Sequence, residues 1–108
     1  MNRPENEIIV LDIAGDYARV VCDDHKNREA MERLGFVLWE DQMIRPIADV
    51  SDRQELVRAL INLKALFSGG RDWSPAEIVD LYREQGVVST GYRMIVWKNP
   101  EQYMLVDS

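Results

Sequence analysis

Glu29-Ala30-Met31-Glu32-Arg33-Leu34-Gly35-Phe36-Val37-Leu38-Trp39 decides the fold class of this chain. The spacing predicts a helix that ends at about Leu34. Gly35 is placed to take the left-handed conformation after the last turn, and Phe36 folds back on Met31 in a Schellman-type contact. Phe36 to Trp39 then read as a strand, because four bulky apolar residues in a row suit a pleated sheet. A helix that becomes a strand within three residues belongs to a chain mixing both elements. This is capping physics that many α+β chains share, so it fixes a class and no family.

Upstream, Glu7 to Ile13 form a short, β-branched strand that is apolar on both parities. Ala14-Gly15-Asp16 turns it into a second strand, Tyr17 to Cys22, with Ala18, Val20 and Cys22 on one face. Asp23 or Asp24 caps the helix that leads into Gly35, offering carboxylate oxygen to free backbone N–H groups.

Downstream, Glu40-Asp41-Gln42 turns into a strand over Met43–Ile47, short or at an edge because Pro46 lacks an N–H. Ser51-Asp52-Arg53-Gln54 fits a capping box, and Leu56, Leu60, Leu63 and Phe67 follow on one helical stripe widened by Val57 and Ile61. Ser68-Gly69-Gly70 ends that helix. Ser74-Pro75-Ala76-Glu77 starts another, with Pro75 at the first helical position and Trp73 stapled onto Ile78. It runs to Gln85 and stops at Gly86. Tyr92–Trp97 and Tyr103–Val106 pair around Lys98-Asn99-Pro100-Glu101. The expected architecture is a single α+β domain over residues 1–108, in the order ββαββααββ. It is a mainly antiparallel sheet with helices packed on it, preceded by a flexible segment at 1–6.

Composition narrows the function classes. The 108 residues suffice for one domain, and 46% hydrophobic with 30% charged residues is a globular balance. Thirteen Lys and Arg against nineteen Asp and Glu leave a net charge of −6, concentrated in the first half. Nucleic-acid binding needs clustered positive charge, so Arg83 and Arg93 on a helix-plus-hairpin do not make a winged reader. No apolar run approaches a membrane span, the N-terminus carries no signal-peptide pattern, and the single cysteine needs no oxidising compartment. The expectation is a soluble, cytoplasmic domain that binds neither nucleic acid nor membrane.

The reactive residue types are sparse. Cys22-Asp23-Asp24-His25 gathers thiol, carboxylate and imidazole, but consecutive side chains diverge and the chain has no second Cys or His. Cys22, in parity with Ala18 and Val20, reads as an inert core thiol rather than a nucleophile. The acidic pairs Asp23/Asp24, Glu40/Asp41 and Asp49/Asp52 sit at caps and turns, where carboxylates serve local needs. No catalytic set, metal site or cofactor is read.

Two surfaces remain. The first reading is a non-catalytic interaction or regulatory module whose apolar second sheet face is covered by a partner or a second copy, with Trp39, Ile95 and Trp97 at the interface. The alternative is a small-molecule binder or small enzyme with a pocket near Arg71, Trp73 and Arg93. There Gly69-Gly70 and a following helix N-terminus offer donors to an anion.

Overall fold

Strands and helices succeed one another as β1 (Ile9–Asp12), β2 (Tyr17–Val21), α1 (His25–Arg33), β3 (Val37–Trp39), β4 (Gln42–Pro46), α2 (Val50–Asn62), β5 (Leu66–Gly69), α3 (Pro75–Glu84), β6 (Arg93–Asn99) and β7 (Gln102–Asp107). The computed structural model describes residues 4–70 and 73–107. The α+β class and the mainly antiparallel sheet are as the sequence implies, and the expected succession of elements recurs with one strand added, β5.

The same device ends all three helices. At α1, Gly35 N–H bonds to Glu32 O and Phe36 N–H to Met31 O, both 3.0 Å, the paired bonds of a Schellman motif. Gly35 stands at φ +94. At α3, Gly86 N–H bonds to Arg83 O and Val87 N–H to Tyr82 O, with Gly86 at φ +75. At α2, Lys64 N–H bonds to Ile61 O and Ala65 N–H to Leu60 O, and here the left-handed residue is Lys64, at φ +62. A Cβ in that conformation crowds the following carbonyl. Nothing in the local composition announces this stop, so the helical stripe reads as continuous through Phe67. The structure corrects it: Phe67 lies in β5, and Leu63, at the cap, is 41% exposed. Lys64→Gly should therefore raise stability by up to about 1 kcal/mol. An unchanged or lower denaturation midpoint would show that the lysine backbone carries no strain.

The start of α2 also differs from the reading. Asp49, not Ser51, is the N-cap, accepting from Asp52 N–H at 2.8 Å, while Asp52 accepts from Ala48 N–H at 2.9 Å. Asp24 caps α1 by accepting from Asn27 N–H. Ser74 begins α3 with Pro75 at the first position, but its hydroxyl makes no capping bond.

The strands form one sheet in the order β3-β4-β2-β1-β5-β6-β7. β1, β5 and β6 are parallel neighbours at its centre, and β5–α3–β6 is a βαβ unit. All other pairings are antiparallel. β5 is buried along its whole length, as a strand between two parallel neighbours must be. β4 lies inside the sheet, between β3 and β2. Pro46 is tolerated because β3 stops pairing at Ile44, two residues short of it.

Two cores sandwich the sheet. Met31, Leu56, Val57, Leu60, Ala76, Val79 and Tyr82 from the helices pack on Val10, Ala18, Val20, Met43 and Phe67. The opposite face, without helices, holds Ile9, Leu11, Val21, Leu66, Ile95 and Trp97, against which Trp73 and Tyr103 pack. A register shift between Val10 and Asp12 turns Ile13 into the helix-side core although it shares parity with Ile9 and Leu11.

Of the amino-terminal residues read as flexible, 1–3 lie outside the described residues. Asn6 accepts a bond from Asn27 Nδ2, and just beyond that segment Glu7, read as the start of the first strand, pairs with Arg93.

Candidate functional site

The residues with the most reactive chemistry are used up locally. Cys22 is buried with its Sγ 3.9 Å from Met43 Sδ, whereas His25 projects from the start of α1 and meets Glu29 at 2.9 Å. Core and surface thus separate the thiol from the imidazole. Asp24 and Asp49 cap helices, and Glu40 and Asp41 form the β3–β4 turn. Among the described residues, no three His, Cys, Asp or Glu side chains gather where they would hold a metal ion.

Several arginines among the described residues are committed to the fold in the same way. Arg53 reaches the carbonyls of Ile13 and Gly15, both at 2.9 Å, and so clasps the β1–β2 turn. Arg28 donates to Cys22 O and Arg58 to Val87 O. Arg93 makes a two-pronged pair with Glu7, at 2.9 and 3.2 Å, and also donates to Lys64 O.

This geometry bears directly on the pocket expected near Arg71, Trp73 and Arg93. Arg71 lies outside the described residues. Arg93 opens β6 and is held by Glu7, while Trp73 stacks 6.0 Å from Trp97, four residues further along that strand. Four strand residues span about 13 Å, so the two side chains do not converge. Trp73 packs with the helix-free core and Ile78 with the helix-side one, so the expected staple is not made. The glycine loop does follow a strand, β5, and precedes a helix. Yet a Cβ on Gly69 would lie 3.1 Å from Ala76 Cβ, and one on Gly70 3.1 Å from Trp97 O. Each glycine makes room for the protein's own atoms rather than for a ligand.

Tyr92 is the other buried polar group of note. Its hydroxyl donates to Asp80 Oδ1 at 2.8 Å and lies 3.2 Å from Ala76 O, tying the segment that enters β6 to α3. Burial, then the Asp80 carboxylate, pushes its pKa well above the ordinary phenol value, so it stays a neutral donor. Arg83 lies 5.8 Å over its ring.

What remains is the edge of the sheet. β3 is anchored by buried Phe36 and turned back on β4 through Glu40, at φ +55, and Asp41. Its three residues Val37, Leu38 and Trp39 are 59%, 59% and 53% exposed. Register with β4 sets Val37 beside Ile44 and Trp39 beside Gln42 on the helix-free face, and Leu38 beside Met43 on the helix side. Tyr17, paired with Pro46, extends the apolar surface and is also exposed. Of the three expected interface residues, Trp39 alone is at the surface. Ile95 (0% exposed) and Trp97 (6%) belong instead to the chain's second core, where Trp73, Trp97 and Tyr103 cover part of that face and leave its β3 side open.

The chain matches no protein-family model, no curated protein and no solved structure. Its surface chemistry is therefore the guide to function.

Behind β3, Arg45 on β4 bridges to Asp52 of α2 at 2.8 Å, and its guanidinium packs against Gly35. The Ala48 N–H bond, then Arg45, holds the Asp52 carboxyl below its ordinary value of 3.8. A carboxyl with a lowered folded-state pKa stabilises the fold fully above its unfolded value, and that contribution fades as the pH falls below it. Asp52→Asn should thus lower the denaturation midpoint at pH 6, with the gap to wild type closing as acid is added below about pH 4. Parallel curves down to pH 2 would contradict this pairing.

The sequence did not single out Val37 and Leu38 as surface residues, because a continuous apolar strand reads as buried on both faces. The signal was strand position in the sheet, which parity does not carry.

Proposed function

We propose that this chain is a non-catalytic protein-interaction module that works through its β3 edge. The supporting observation is a three-residue edge strand whose side chains are all apolar and all more than half exposed. Edge strands present unpaired N–H and C=O groups, and proteins ordinarily guard them with charge, proline or a cover. β3 has none of these along its length. Exposed strands of this kind recognise partners by adding a strand to the sheet. The acidic composition and single buried cysteine support a cytoplasmic setting and argue against nucleic acid as the partner.

Photo-crosslinking in an expressing cell tests this reading. A benzophenone amino acid at position 38 should give discrete protein adducts, and one at Glu55, on exposed α2 surface, should not. Equal labelling from the two positions, or none from position 38, would overturn it.

A further inference from the structure

We infer that the partner of the β3 edge is a second copy of this chain, joined antiparallel about a twofold axis at Leu38 so that two sheets become one. The inference rests on the reading of β3 as the interaction surface, and three features of the strand carry it.

The first is the hydrogen-bonding phase. β3 and β4 are joined by the two turn residues Glu40 and Asp41, so Trp39 and Gln42 are the closing pair. Pairs alternate along an antiparallel ladder, which leaves Leu38 opposite Met43 without mutual bonds. The N–H and C=O of Leu38 therefore point outward. A twofold axis at this residue lets the two leucines exchange both bonds.

The second is side-chain self-complementarity. In that register, Val37 of each copy lies directly across from Trp39 of the other, and the pair occurs twice. Aromatic with β-branched is among the favourable cross-strand combinations. The two Leu38 side chains meet on the other face, each already beside Met43. Every exposed apolar group of β3 gains an apolar neighbour.

The third is charge. The acidic turn Glu40-Asp41 falls against Phe36 and Gly35 of the second copy, at the end of its α1, where Glu32 and Arg33 leave no net charge. The other free edge, β7, behaves differently. It also exposes Met104 and Leu105, but Glu101 and Asp107 flank it. Antiparallel pairing of two β7 strands would bring the Glu101 end of each copy to the Asp107 end of the other. Pairing of β3 with β7 about Leu38 and Met104 would set Asp41 beside Glu101 if antiparallel, or beside Asp107 if parallel. Like charges at these positions destabilise a strand pair. Among these registers the β3–β3 arrangement avoids them, and it closes on itself rather than growing into a filament.

Cysteine mapping tests the register. Opposed residues of a hydrogen-bonded antiparallel pair have Cα atoms about 5.5 Å apart, within disulfide reach. Like positions 37 and 37, or 39 and 39, would be about 8 Å apart and out of reach. Mild oxidation of Leu38→Cys should give a disulfide dimer at least about 10-fold faster than Val37→Cys or Trp39→Cys alone. An equal mixture of those last two variants should crosslink to each other. Light scattering of the unmodified chain at about 100 μM, a concentration that populates even weak interfaces, should give twice the chain mass, and Leu38→Glu should return it to one. Comparable oxidation rates at all three positions, or a strict monomer before any substitution, would overturn self-pairing. If position 38 still forms adducts with a different protein in the cell, the interaction-module reading stands while self-pairing fails. If it forms none at all, both fail.

Discussion

Trp97→Ala is expected to cost about 3–5 kcal/mol, the range for deleting a large aromatic from a packed core. Trp97 is the middle ring of the roof over the helix-free face, 6.0 Å from Trp73 and 5.6 Å from Tyr103. Its indole N–H donates to Ser68 Oγ at 3.2 Å, and Ser68 is fully buried on β5. The substitution therefore removes packing from Ile95 and Leu66 and strands a buried hydroxyl. Trp97→Phe keeps a ring but loses the donor, and should cost about 1–3 kcal/mol. Circular dichroism during urea unfolding would read both values. A loss below about 1 kcal/mol for Trp97→Ala would mean that this face is no second core.

Leu60→Ala should cost about 2–5 kcal/mol, whereas Leu63→Ala, three residues later on the same helix, should cost well under about 1 kcal/mol. The sequence gives the two leucines the same standing on one stripe. The structure does not: Leu60 is fully enclosed against the sheet, and Leu63 sits at the helix cap facing outward. The difference between the two substitutions is therefore a measurement of where α2 stops. Equal costs would restore the longer helix.

That boundary also shows what was legible and what was not. The ends of α1 and α3 were readable because Gly35 and Gly86 occupy the left-handed position, and only glycine advertises it. Lys64 does the same work silently, so Ala65-Leu66-Phe67 merged with the helix before it. With β5 hidden, the parallel centre of the sheet had no signal, since local patterns report an element and not its neighbours. Parity assigned Ala18, Val20 and Cys22 to one face correctly. It misassigned Ile13, because the irregularity beyond Val10 is invisible to alternation. The surface suffered most. Parity puts Trp39, Ile95 and Trp97 on one apolar patch, but only Trp39 stays at the surface, because the covering over Ile95 and Trp97 depends on rings contributed from Trp73 and Tyr103. Those contacts join distant parts of the chain.

The parallel pairing of β1 with β5 divides the molecule along a seam. On one side, β1, β2, α1, β3 and β4 contact mostly near neighbours in the chain. On the other, β5, α3, β6 and β7 do the same. Ile9 against Leu66 and Val10 against Phe67 join them, α3 packs across the line on the helix-side core, and the Glu7–Arg93 pair clasps one end. Closing that seam needs the longest loop in the fold, and its entropy must be met before its contacts form. Strand pairing on each side is local, whereas the seam and the helix-side core shared across it need both sides in place. Parting the sheet along this line would therefore break the shared core as well as the ladder, while leaving the hairpins β1–β2, β3–β4 and β6–β7 intact.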